Sequence, residues 1–216
     1  MHRFRSTLPV ILALSLLGCA HAGPASDSAP GRETAAMAHS TDATSASPQL
    51  SAEQVGKRFL KLIEGLESRD DLSLERIRDV MGLSLRNYES RSDDFYAYSQ
   101  LLEDDWYFSV DYLEPSPSSM RGVGLSFGKP FPAEFEPNPM PASLCVLDFE
   151  YYHNALKAMG LYAEPVCDEI GRLRSWEYTK FNSDAVDFTL SIILQNIVPG
   201  EPGTLCVKSI DMLNGR

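Results

Sequence analysis

From residue 51 onward the chain switches between two hydrophobic periods. Val55, Phe59, Leu62 and Leu66 recur every three or four residues behind Ser51-Ala52-Glu53-Gln54, a capping-box spacing, and predict an amphipathic helix over 52–67. Arg69-Asp70-Asp71 turns the chain, Ser73 caps a second helix carrying Leu74, Ile77 and Met81, and Gly82 stops it. The period then falls to two. Residues 95–101 and 106–113 read as strands joined by the turn Glu103-Asp104-Asp105, and residues 120–127 return after a Pro/Ser turn. In the last of these, Val123, Leu125 and Phe127 alternate with Gly122, Gly124, Ser126 and Gly128, one apolar face against one nearly bare face. Bare faces accept a close neighbour, and a helix of the same half is the expected one.

Residues 128–142 hold five prolines in fifteen positions, which neither a helix nor a central strand accepts. The order then repeats. Asp148 caps a helix through Tyr151, Leu156 and Met159 to Gly160, followed by strands over 173–180, 186–195 and 205–213. The expected fold class is therefore α+β: tandem modules, each a helix or helix pair followed by a three-stranded antiparallel sheet, about six strands in all. The expected organisation is a first module over 51–128, a Pro-rich connector over 129–142 and a second module over 143–216.

The N-terminal part carries different information. Arg3 and Arg5 precede an apolar run from Leu8 to Leu17 that is too short to span a bilayer as a helix, so 1–18 reads as a signal peptide. The run ends in Leu16-Leu17-Gly18-Cys19, which resembles the lipobox of bacterial lipoproteins. That resemblance implies cleavage before Cys19 and acylation of its thiol and new amino group, with enough acyl chains for stable membrane anchoring. Ala20, where a retention aspartate would stand, implies the outer membrane, with the protein facing the periplasm. Residues 19–50 are then a flexible tether, because a stretch of Ala, Ser, Thr, Gly and Pro with Met37 as its one large apolar residue before Pro48 buries too little surface to order itself.

Charge narrows the partners. The chain has 19 Lys+Arg against 30 Asp+Glu, a net of −11, which argues against nucleic acid and anionic lipid surfaces and favours encounter with a basic partner. With Cys19 lipidated in an oxidising compartment, Cys145, Cys167 and Cys206 leave one disulfide and one thiol. If the second-half helix runs antiparallel to the first of three strands, Cys167 and Cys206 lie at one end and Cys145 at the other. Cys167–Cys206 is then the expected pair, with Cys145 a buried thiol and Cys145–Cys167 the alternative.

The chemistry-bearing patterns are few. Gly124-Leu125-Ser126-Phe127-Gly128 matches G-x-S-x-G, but Lys129-Pro130-Phe131-Pro132 forbids the helix that a nucleophile elbow needs. His153 is the one histidine of the folded region, since His21 and His39 fall in the tether. No phosphate loop, dinucleotide fingerprint or zinc motif occurs, and no cofactor or metal is expected. An enzyme is not the expected reading. Aromatic residues beside acidic turns suit a protein interface, so Tyr98, Asp104, Asp105 and Trp106 are the candidate contacts.

The order of elements is similar to that of two groups, the small accessory lipoproteins of outer-membrane assembly and the tandem-repeat β-lactamase inhibitor proteins. Together with the lipobox, this implies a lipid-anchored immunity or inhibitor protein that occludes the active site of a basic secreted toxin or enzyme. The alternative is an outer-membrane assembly or envelope scaffold lipoprotein.

Overall fold

The computed structural model describes residues 49–88, 94–116, 121–130, 140–183, 185–195 and 203–213. Cys19, the tether up to residue 48 and most of the Pro-rich connector, residues 131–139, lie outside the described residues. Among those described, no helix is long and apolar enough to cross a membrane.

The helices form where the caps and the apolar period place them. Helix α1 (Ala52–Glu64) starts at a complete capping box: the Gln54 amide donates to Ser51 Oγ at 3.2 Å, and the Ser51 amide donates to Gln54 Oε1 at 2.9 Å. A short 3₁₀ turn (Arg69–Asp71) leads into α2 (Leu74–Met81), which Gly82 ends in the left-handed region at φ 67°. Helix α3 (Phe149–Ala158) is capped by Asp148, whose side chain accepts from the Tyr151 amide.

The strands are β1 (Arg86–Asn87), β2 (Phe95–Leu101), β3 (Tyr107–Leu113), β4 (Gly122–Gly128), β5 (Tyr162–Cys167), β6 (Leu173–Asn182), β7 (Ala185–Gln195) and β8 (Cys206–Leu213). They make one eight-stranded antiparallel sheet in the order β1-β2-β3-β4-β8-β7-β6-β5. This corrects the expected tandem of separate three-stranded sheets with about six strands. The last strands of the two meanders pair with each other, Gly124 opposite Asp211, Leu125 opposite Ile210 and Ser126 opposite Ser209, so the halves share one sheet. The two unforeseen strands are its edges. β1 is only two residues long, and β5 contains Pro165, which an edge strand tolerates because one side of it has no ladder to complete.

Register decides the faces. Phe108, Val110 and Tyr112 of β3 align with Phe127, Leu125 and Val123 of β4; Leu125 aligns with Ile210, and Ile210 with Ile192. All of these are buried in the same core as Val55, Phe59, Leu62 and Ile63 of α1, Ile77 and Met81 of α2, and Tyr152 and Leu156 of α3. The helices therefore cover one face. The bare side of β4 points the other way, so the expectation that a helix of the first half packs against it is also corrected.

One contact ties helix to helix and another ties the 3₁₀ turn to the sheet. Gly56, in mid-helix where glycine costs about 1 kcal/mol relative to alanine, lets α1 and α3 approach: a Cβ there would land on the Tyr152 hydroxyl and lie 2.8 Å from Leu147 Cδ1. Arg69, 6% exposed, reaches from the 3₁₀ turn to the sheet end, its Nη2 donating to the Leu213 carbonyl at 2.5 Å and its amide to Asp187 Oδ1 at 3.1 Å.

Among the described residues, one disulfide joins Cys145 to Cys206, with 5.3 Å between the Cα atoms, and no cysteine is free. The expected Cys167–Cys206 bridge and the buried thiol at Cys145 are both corrected by strand parity. With β5 present, the second meander has four strands, and β8 begins at the end of the sheet where α3 begins. There the Phe149 amide donates to the Leu205 carbonyl at 2.7 Å, and Asp148 bridges to Cys206. Cys167 ends β5, three strands from β8 and so roughly 14 Å away, beyond disulfide reach.

Two outcomes follow for stability. Gly56→Ala lowers stability in urea unfolding by about 1–3 kcal/mol despite alanine's better helix propensity, and adding Tyr152→Phe recovers part of that loss; a neutral or stabilising Gly56→Ala contradicts the close approach. Replacing Cys145 and Cys206 together by serine, which opens a loop spanning 61 residues, costs about 2–4 kcal/mol in the same measurement.

Candidate functional site

The face of the sheet away from the helices is built by the same alternation that builds the core. Cross-strand partners share a face, so one line of residues can be followed across all eight strands: Arg86, Ala97, Asp111, Gly124, Asp211, Ser191, Glu177 and Glu164. Four of the eight are carboxylates, and one, at the far edge, is a guanidinium. The flanking positions are mostly small and hydroxylated. Ser99 Oγ donates to Ser109 Oγ at 3.2 Å, Ser109 lies opposite Ser126, and Ser126 lies opposite Ser209. Thr179 and Thr189 share a hydroxyl contact at 3.2 Å. Thr179, Ser191 and Ser209 are buried, 7–8% exposed.

Gly124 stands at the centre of this line. A Cβ there would meet Asp211 Oδ1 at 2.8 Å and Asp111 Oδ1 at 2.9 Å, so carboxylates from the two neighbouring strands share the space that a side chain would take. Ser209 Oγ donates to Asp211 Oδ2 at 2.8 Å. Burial raises the Asp211 pKa above the usual carboxylate value, and the Ser209 hydrogen bond opposes that shift only in part.

The residues singled out from the sequence do not converge. Asp104 and Asp105 form an exposed turn at φ 52° and 61°, closed by the Trp106 amide donating to the Glu103 carbonyl at 3.0 Å. Positive φ at two successive residues matches the right-handed twist of a β-hairpin, and Asp is among the few residues that enter that region readily. Trp106 is 3% exposed and belongs to the core. Tyr98 is half-buried on the helix side, its ring 6.0 Å from that of Phe108. The two acids thus face solvent while the two aromatics turn inward. Ser126 sits in mid-strand on the open face, whereas His153 lies beneath α3 on the other face, with Nδ1 2.8 Å from Tyr178 Oη and its ring 5.0 Å from that of Trp176. The sheet separates them, so they cannot act as nucleophile and base. Burial, and secondarily Lys157, lowers the His153 pKa and favours the neutral ring.

What the sequence reading missed is the carboxylate line. Asp111, Glu164, Glu177 and Asp211 are spread over a hundred residues and are assembled only by register; each is an ordinary polar position of an alternating strand. Compared with known proteins, the chain matches no family model, no curated protein and no solved structure.

The raised Asp211 pKa has a signed consequence. An acid whose folded pKa exceeds its ordinary value of 3.8 favours folding fully below that value, and the favour is lost as pH rises through the folded pKa. Asp211→Asn removes the titration and can still accept from Ser209. Its melting temperature relative to the parent should therefore rise from pH 4 toward pH 7 and then level. A difference independent of pH would show that burial of the charge carries no cost.

Proposed function

We propose that this is a lipid-anchored envelope protein, held at the outer membrane through Cys19 and facing the periplasm, whose open sheet face binds and neutralises a protein toxin or enzyme by covering its active site. The observation that carries the reading is the acid-lined face opposite the helices. Eight strands about 4.8 Å apart span roughly 35 Å, and seven-residue strands run roughly 23 Å, enough for the ~800 Å² per partner of a standard protein interface. Many of its side chains are hydroxylated or acidic, so a basic partner is drawn to it. The lipobox resemblance and the low-complexity stretch over 19–50 support a tethered binder that reaches targets entering the envelope.

The test is protection. Deleting the gene should sensitise cells to contact with toxin-delivering neighbours, and restoring the parent chain should restore survival. Cys19→Ala should abolish incorporation of labelled palmitate and membrane sedimentation. Equal survival of deletant and parent, with affinity capture returning only barrel-assembly components, would replace this reading with the scaffold role.

A further inference from the structure

One corner of the open face differs from the rest. Tyr162 on β5, Phe181 on β6 and Val186 on β7 are 58%, 51% and 58% exposed. The Tyr162 and Phe181 rings touch edge-on, 6.5 Å between centroids, and Phe181 is the register partner of Val186. Beside them the carboxylate line reaches its end. Glu164 lies directly opposite Glu177, and Asp211 is two strands further in along the same line. Like charges directly opposite on neighbouring strands destabilise a sheet, and neither glutamate forms an ion pair among the described residues. The basic residue of this line, Arg86, is at the opposite edge, roughly 30 Å from Glu177 and several screening lengths away.

We infer that this corner, Tyr162–Phe181–Val186 with Glu164 and Glu177, is the docking point for a basic protein segment that presents a lysine or arginine next to an apolar side chain. The inference rests on the protein-binding reading above and assigns the chemistry of its partner. A cation set between Glu164 and Glu177 relieves their repulsion, so binding recovers energy the free sheet forgoes. The exposed rings supply the apolar anchoring that charge alone lacks at a solvated surface. A second copy docking corner to corner is disfavoured by the same logic, since two acidic corners on chains of net −11 repel each other. An anionic lipid surface is repelled likewise.

The test uses a defined probe, random peptides displayed on phage and selected against the intact purified chain. The expected consensus places Lys or Arg beside an aromatic or aliphatic residue. Fluorescence anisotropy of a consensus peptide should show Glu164→Gln with Glu177→Gln weakening binding about tenfold and flattening its salt dependence, from two surface ion pairs. Phe181→Ser should weaken it at any salt concentration, and Val186→Ser should do so less. All four positions are exposed or half-buried, and unchanged melting temperatures will show that the variants fold. Asp104→Asn with Asp105→Asn, in the distant β2–β3 turn, should leave the affinity unchanged. A neutral or acidic consensus, or affinities indifferent to the corner variants, overturns the inference. Peptides that bind tightly but lose affinity only with the turn variant overturn the corner assignment while leaving the protein-binding reading in place.

Discussion

Among the described residues, the two meanders of the sheet hydrogen-bond to each other only along β4 and β8, through three residue pairs centred on Leu125 and Ile210. Both of those side chains are buried, and they join the apolar face of one half to that of the other in a single core. Without that seam each half would be a small sheet with an open central edge, an arrangement that invites pairing with other chains. With it, the outermost strands among the described residues are β1, two residues long, and β5, which carries a proline. The disulfide reinforces this arrangement from outside the ladder: Cys206 opens β8 and is tied to Cys145 in the segment that leads into α3, so the seam strand is held to a helix-bearing segment of the second half.

The seam also constrains Gly124. The sequence shows a bare face on β4, and bareness invites the idea that a helix lies against it. The structure instead fills the space with the Asp111 and Asp211 carboxylates, which a Cβ would displace. A half-buried carboxylate with a raised pKa at the middle of a sheet is a cost to folding when charged, and the contiguous helical core on the reverse side offsets it.

Local signals were legible and long-range ones were not. Ser51, Ser73 and Asp148 cap the three helices from the positions their spacing indicates, and Gly82 ends α2 as a left-handed residue must. The long strands follow from alternation. What failed were features set by partners distant in sequence. Pro165 hides β5, because a proline disqualifies a strand unless that strand is known to be an edge. Missing one strand reverses the end at which every later strand begins, and this alone moved the expected disulfide from Cys145 to Cys167. Trp106 and Tyr98 failed for another reason. Trp106 stands between Asp105 and Tyr107 and Tyr98 between Ala97 and Ser99, so period two alone leaves open which face is the core, and the packing decides it: Trp106 is buried in the core and Tyr98 lies against Phe108.

The carboxylate line poses the sharpest contrast between stability and use. Glu164 opposite Glu177, and Asp211 beside Asp111 over a glycine, are choices that a sheet selected only for stability would replace with Thr, Ser or a Lys–Glu pair. Nothing in the core demands them, since each lies on the face the helices do not cover. Places where local rules are broken without a structural gain are where function is to be sought. Here the breaches fall on one row of one face, and that row ends beside the exposed Tyr162, Phe181 and Val186. A fold that concentrates carboxylates there, while sheltering most of its large aromatics on the other side, has the physical form of the cation-binding surface proposed above.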